Sequence, residues 1–287
     1  MSVFSSLLVC LDGSQAAARA LRCAAWLGAR LEARTHVVSA TSCPLPVRQE
    51  LTRLRVPESN WPQLTLHQVM GVPEEAILGL ADRYDIGLIV LSAHGEGTSL
   101  GNVGHVARAV LEQTNRPVLL LPKAYRERLP WTQALIPLSA EAEVSPAARV
   151  AVALAHVLAL DVRIAHVLDD PESRTGLEAA VPYADAPYHE YPEQLAEIVR
   201  RTVSGASPEQ CRRITDVALL RGDVAMALLR EAEGNDVSVI AIGWHGTLLG
   251  GRARLVKHLL SAITCPILLV KIEPPGPFVL KVGPRMG

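Results

Sequence analysis

At 287 residues and 49% hydrophobic, the chain has room for two cores of ordinary size, and 28 basic residues against 29 acidic leave a net charge of −1. That balance, with no run of three Arg or Lys, excludes a general pull toward nucleic acid or an anionic membrane. Apolar runs all fall short of the roughly 18 residues of a membrane span; Met1–Ser6 lacks the charged start of a secretory signal, and Cys10, Cys23, Cys43, Cys211 and Cys265 never fall as CxxC, so a cytoplasmic protein with reduced thiols, no disulfide framework and no zinc site is expected.

In chain order, strands are expected near 5–11, 33–39, 64–70, 86–92 and 117–122. The runs LLVCL, GLIVL and PVLLL are short and rich in Leu, Val and Ile, as strands covered on both faces must be. Helical patterns lie between them at Gln15–Ala29, Pro73–Arg83 and Val103–Thr114. Asp12-Gly13-Ser14 supplies a turn and an N-cap, and Pro73 sits in a first helical turn, where proline is tolerated. Strands alternating with helices imply a parallel sheet covered on both faces.

The chain then repeats itself. DIGLIVLSAHG (Asp85–Gly95) aligns with DVSVIAIGWHG (Asp236–Gly246), and GVPEEAILGLA (Gly71–Ala81) with GDVAMALLREA (Gly222–Ala232). NRPVLLLPK (Asn115–Lys123) aligns with TCPILLVKI (Thr264–Ile272), His36–Val38 with His166–Leu168, and SLLVCLDGS (Ser6–Ser14) with QALIPLSAE (Gln133–Glu141). Five blocks in one order define a duplication: domain 1 over 1–124 and domain 2 over 130–273, with a boundary at Pro130-Trp131, an insert at about 169–208 in domain 2, and a Pro/Gly-rich tail over 274–287.

D-G-S after strand one, G-x-P after strand three and a glycine loop after strand four resemble the universal stress protein family; the matching residues are Val9–Ser14, Thr35–Val38, Gly71–Ile77, His94-Gly95 and the ending NRPVLLLP. The resemblance spans nearly the whole chain twice. It implies an α/β protein of two tandem, five-stranded, parallel-sheet α/β/α sandwiches, doubly wound like the adenine-nucleotide α-hydrolases. It also implies pairing of Pro117–Pro122 with Pro266–Lys271, making a pseudo-dimer within one chain, with a further homodimer open. Many members of the family bind ATP or AMP, with Mg2+ accompanying ATP, through a loop G-x2-G-x9-G-[ST]; others bind neither. Glycines let backbone N–H groups approach phosphate oxygens at a helix N-terminus.

On that resemblance, the domain 1 candidates are Asp12 and Gly13, the backbone at Val37 and Val38, Gly71, and Gly95, Gly97, Gly101, Gly104 and His105 in the loop within Val90–His105. The loop departs from the pattern: Ser92 replaces the first glycine, His105 stands where Ser or Thr is expected, and the Gly95–Gly104 interval is one residue short. In domain 2, Gly243 and Gly246 remain, but the loop is shorter, Ala253-Arg254 replaces G-[ST], and Leu138-Ser139-Ala140 lacks the aspartate, so binding in the family's manner is not expected there. Arg252 and Arg254 at the start of a helix oppose its dipole; with Gly243 and Gly246 they form either a candidate anion site or a solvated charged face.

Other chemistries lack their motifs. GxxxxGK[ST], GxGxxG in its proper place and GxSxG are absent, and no metal is expected at His94, His105, His245 or His258 because Cys and carboxylates are missing at ligand spacing. His36 and His166 read as satisfied polar groups closing apolar strands. With no general base evident, no catalytic residue is assigned and slow ATP hydrolysis ranks last. The insert segment Val181–Glu193, with Tyr183, Tyr188 and Tyr191, reads equally as a docking surface for a protein partner or as cover for the sheet. The leading expectation is a cytoplasmic stress-response or signalling protein with nucleotide in domain 1; the alternative is an interaction scaffold without nucleotide.

Overall fold

The short apolar runs of both halves become strands because each is packed on two faces. The computed structural model describes residues 4–94, 103–138, 145–168, 197, 199–200, 203–244, 246, 248 and 251–272. Domain 1 contributes β1 (Ser6–Cys10), β2 (Arg34–Ala40), β3 (Leu64–Val69), β4 (Leu88–Ser92) and β5 (Val118–Leu121). Domain 2 contributes β6 (Gln133–Leu138), β7 (Asp161–Leu168), β8 (Ile214–Arg221), β9 (Val239–Trp244) and β10 (Ile267–Lys271). The helices are α1 (Gln15–Leu31), α2 (Val47–Arg53), α3 (Pro73–Arg83), α4 (His105–Gln113), α5 (Ser145–Leu158), α6 (Pro208–Cys211), α7 (Val224–Gly234) and α8 (Gly251–Ala262).

All ten strands form one mixed sheet in the order β3-β2-β1-β4-β5-β10-β9-β6-β7-β8. Every neighbouring pair is parallel except β5–β10, which is antiparallel, with Val118 opposite Leu269, Leu119 opposite Leu268 and Leu120 opposite Ile267. The expected pairing of the two final strands therefore occurs within the chain. All six side chains are at most 1% exposed, and burial of each contributes about 1.5–3 kcal/mol. The join also removes what would otherwise be an open edge on each half.

Two cores sandwich the sheet, and each runs through both domains. Leu7, Val9 and Leu119 pack with Leu21 of α1 and Ala148 of α5 on one face. Leu8, Ile89 and Leu120 pack with Ile77, Val110, Leu228 and Leu259 of α3, α4, α7 and α8 on the other. Trp26 of α1 meets Trp131 at the start of domain 2, their ring centroids 5.2 Å apart.

The duplication extends to the backbone. Gly71 and Gly222, which close β3 and β8, have φ of 116° and 107°, and Asp85 and Asp236, which precede β4 and β9, have 46° and 49°. These left-handed turns are held differently in the two halves. Arg116 donates to the Asp85 carboxylate at 3.1 Å and to the Ile86 carbonyl at 2.6 Å. Cys265 takes the corresponding place before the proline in domain 2. There the cation comes from the interdomain linker instead, Arg128 reaching Asp236 at 2.7 Å.

The two arginines differ in worth. Arg116 is 25% exposed and also bonds a backbone carbonyl, whereas Arg128 and Asp236 are 47% and 86% exposed. Arg116→Ala is expected to cost about 1.5 kcal/mol in urea denaturation and Arg128→Ala less than about 1 kcal/mol. The reverse order would contradict this reading of the two turns.

Candidate functional site

The strand order fixes where a ligand site can form. The chain leaves β1 toward β2 and β3 on one side and crosses to β4 on the other, so the sheet's switch point lies between β1 and β4, at their carboxyl ends. These strands are paired, with Val9 opposite Val90, so the Asp12-Gly13 turn and the Ala93-His94 exit leave the sheet side by side. The Asp12 carboxylate accepts from the Ser14 N–H at 2.8 Å, and the Ser14 hydroxyl caps α1 by accepting from the Ala17 N–H at 3.1 Å. The turn is thereby braced, and one of the first-turn N–H groups of α1 is satisfied by its cap.

Across the crevice, the Gly104 N–H donates to the Ala93 carbonyl at 2.7 Å, which seats the start of α4 beside the end of β4. Gly104 is the N-cap and provides no side-chain acceptor for the first turn. His105 opens the helix, is 83% exposed, and lies 3.6 Å from Glu74 of α3. Gly71 lies at the end of β3, two strands away from β1, with open space around its Cα. Gly95, Gly97 and Gly101 lie outside the described residues.

The expected contact residues Val37 and Val38 lie within a strand. β2 runs on to Ala40, Val37 is in register with Val9 and Leu66, and the Val38 carbonyl accepts from the Leu11 N–H at 2.9 Å. Both residues are committed to the sheet. The alternation that turns Val38 toward β1 turns Ala40 the same way, past the end of β1 at Cys10. Ala40 is thus the residue placed to present its backbone to the Asp12 turn.

In domain 2 the two candidate glycines are closely packed. A Cβ on Gly243 would stand 2.4 Å from Ile272 Cδ1 and 3.1 Å from Ala147 Cβ, so this glycine serves close packing. A Cβ on Gly246 would stand 2.4 Å from Lys271 Cε. The Lys271 ammonium donates to the Glu112 carbonyl of α4 at 3.3 Å, and the Glu112 carboxylate accepts from the Leu248 N–H at 3.4 Å. Arg254 is exposed on α8, while the side chain of Arg252 and the segment Ser139-Ala140 lie outside the described residues, as does the Val181–Glu193 insert.

Several polar groups escaped the sequence reading. Glu50 of α2 is fully buried, accepting from the Ser39 hydroxyl at 2.6 Å and from Arg53 Nε and Nη2 at 2.8 and 2.6 Å. The Arg53 bonds hold its carboxyl below the ordinary value of 4.5, against the opposing effect of burial. Arg53 also borders the turn: its Nη1 would lie 3.8 Å from a Cβ on Gly13, and its pKa is raised chiefly by the bonds to Glu50, with the Asp12 charge adding to it. His36 and His67 share a 2.9 Å hydrogen bond beside Tyr84, and His166 Nδ1 lies 3.0 Å from the Leu138 carbonyl, so His36 and His166 are partnered. The Glu50–Arg53 pair lies within α2 at i,i+3, whereas the Ser39–Glu50 and His36–His67 contacts join separate elements and follow only from the fold.

His94 differs from these. It is 6% exposed, and among the described residues neither ring nitrogen has a hydrogen-bond partner. An unsatisfied buried polar group costs about 1–3 kcal/mol. Burial, with the nearby Lys123 charge, lowers its pKa from 6.5. Burial raises the Cys10, Cys23 and Cys265 thiols to about 12, which makes them poor nucleophiles. Among the described residues no three His, Cys, Asp or Glu side chains converge, and no helix is long and apolar enough to cross a membrane.

A duplicated, doubly wound sheet with its switch point between β1 and β4 defines the architecture as a tandem α/β fold. The chain belongs to the universal stress protein family, whose model matches residues 44–122 and 132–271. A solved structure of a functionally unknown Pseudomonas aeruginosa protein is 16% identical, covers 94% of this chain and 93% of its own, and has a TM-score of 0.66. A universal stress protein from Archaeoglobus fulgidus is 14% identical, with coverages of 94% and 98% and a TM-score of 0.61. The cytoplasmic domain of a prokaryotic cation chloride cotransporter is 10% identical, with coverages of 94% and 96% and a TM-score of 0.52. At these identities the likeness shows the fold. No curated protein sequence matches the chain.

The buried ionisable groups make stability depend on pH with a defined sign. His36, His67 and His94 are all depressed below 6.5, chiefly by burial. The unfolded chain therefore binds more protons below about pH 6.5, and stability falls as pH drops through that value and the lower folded ones. Glu50 adds a further loss below about pH 4.5. Urea midpoints are expected to be lower at about pH 5.5 than at about pH 7.5; equal midpoints would contradict the burial of these rings. Arg53→Ala strands a buried carboxylate and should cost roughly 2–3 kcal/mol, less than a wholly buried pair because Arg53 is 44% exposed.

Proposed function

We propose that this universal stress protein is a non-catalytic, nucleotide-responsive protein in which domain 1 binds ATP or AMP and domain 2 serves as its fixed structural partner. The observation that carries the reading is the difference between the two crevices. In domain 1, α4 begins at a glycine with no side-chain cap, beside the braced Asp12 turn. In domain 2, Ile272 and Lys271 pack against Gly243 and Gly246, and Lys271 is engaged with Glu112.

On this reading the phosphates meet the positive end of α4, the ribose meets Asp12, and the base edge meets the backbone at Ala40. Magnesium enters with the phosphates of ATP. Binding would be read out through the shared sheet and cores in a cytoplasmic stress or signalling role.

Isothermal titration of the full chain is expected to show one ATP or AMP site, with Asp12→Ala weakening it at least tenfold. Binding of two nucleotides per chain would restore domain 2 as a site. No heat at millimolar nucleotide would remove the nucleotide reading and leave the interaction scaffold.

A further inference from the structure

Domain 2 has a cavity where domain 1 has an arginine. In domain 1, Arg116 stands just before β5 and lies against the last turn of α3. Its guanidinium donates to the Ile86 carbonyl at 2.6 Å and to the Asp85 carboxylate at 3.1 Å, and lies 3.5 Å from the Asp82 carboxylate. The repeat pairs Asp82 with Glu233, Asp85 with Asp236 and Ile86 with Val237, and it puts Cys265 in the place of Arg116. A cysteine side chain is too short to repeat those three contacts. A cavity of about 340 Å³ stands there instead, lined by Glu233, Val237, Thr264, Cys265 and the linker residues Arg126 and Arg128. It lies at the amino ends of β9 and β10, and none of these residues belongs to the domain 1 site.

Two helices end at this cavity: Glu233 is in the last turn of α7, and Thr264 stands just past the end of α8. Helix carboxyl ends carry partial negative charge and favour a cation, as the Glu233 carboxylate does. Of the two linker arginines, Arg128 is already paired, 2.7 Å from Asp236. Arg126 is held at its backbone, donating to the Thr264 carbonyl at 2.9 Å. Its side chain is exposed and has no hydrogen-bond or ion-pair partner among the described residues. The helix side of the cavity therefore suits a cation, and the linker side a carboxylate.

We propose that this cavity binds a small guanidinium amino acid of the arginine class. Its guanidinium takes the place that Arg116 takes in domain 1, against Glu233 and the Val237 carbonyl, and its carboxylate pairs with Arg126. A guanidinium presents its N–H donors as a planar fork, which is how Arg116 meets carboxylates and a carbonyl together. The cavity volume falls within the roughly 300–1,000 Å³ of small-ligand sites. This site is independent of the nucleotide reading of domain 1.

The test is calorimetric titration of the full chain with L-arginine. Two relatives are run beside it: L-citrulline, whose ureido group has a similar shape without the charge, and agmatine, which lacks the carboxylate. One L-arginine per chain is expected, with citrulline and agmatine each about tenfold weaker or more. Cys265→Arg should abolish binding, because it fills the cavity with the side chain that domain 1 carries at that place. Glu233→Gln, at an exposed position, should weaken binding about tenfold without lowering the thermal midpoint. No heat from L-arginine at about 10 mM would overturn the proposal. So would equal binding of citrulline or agmatine, or L-arginine binding that survives in Cys265→Arg. If Cys265→Arg fails to fold, Glu233→Gln decides, and unchanged affinity in that variant would overturn the site.

Discussion

The antiparallel join of β5 to β10 is the constraint on which the rest of the structure depends. Eight of the nine strand pairings are parallel and lie within one repeat or the other; the ninth turns the two repeats into one sheet. Because its six facing residues are almost fully inaccessible, neither half can move far without exposing the centre of the sheet to water. The cores on both faces cross the same line, so α1 packs with α5 and Trp26 with Trp131. The covalent linkage supplies in one chain what two separate copies would otherwise have to find by association.

Within that symmetric frame the repeats keep matched backbone turns and satisfy them through different contacts. Matched left-handed turns survive at Gly71 and Gly222 and at Asp85 and Asp236. The groups that satisfy them differ, Arg116 in one and the linker residue Arg128 in the other. The same divergence separates the two crevices. Domain 2 has filled its glycine positions with Ile272 and Lys271, whose ammonium reaches the carboxyl end of α4, the negative end of that helix dipole. The amino end of α4, in domain 1, has no such side-chain partner at its cap. One helix thus carries the Lys271 contact at its carboxyl end and a glycine cap at its amino end.

Much of this was legible in the sequence because strands buried on both faces must be apolar throughout. The run LLVCL predicts a strand near 5–11 and forms one at Ser6–Cys10; PEEAILGLADR predicts and forms α3 at Pro73–Arg83. Boundaries set by hydrogen bonds were less legible. β2 ends at Ala40, one residue beyond the expected end at 39, and holds Val37 and Val38 within the strand. Helix α2, VRQELTR, lies outside the expected helices; its Glu50 is buried with Arg53, one turn further along the same helix, and Ser39 of β2 bonded to it. Among the described residues no hydrogen-bond partner reaches the His94 ring, which no local pattern encodes.

The central claim is that one fold, used twice, retains a competent crevice only in its first copy. Amide hydrogen exchange of the full chain, with and without saturating ATP, tests it most directly. Slowed exchange is expected at Leu11–Ser14, at Ala40 and at Gly104–Arg108, with Gly243, Trp244 and Gly246 unchanged. Slowing confined to the domain 2 segment, or equal in both, would contradict the account.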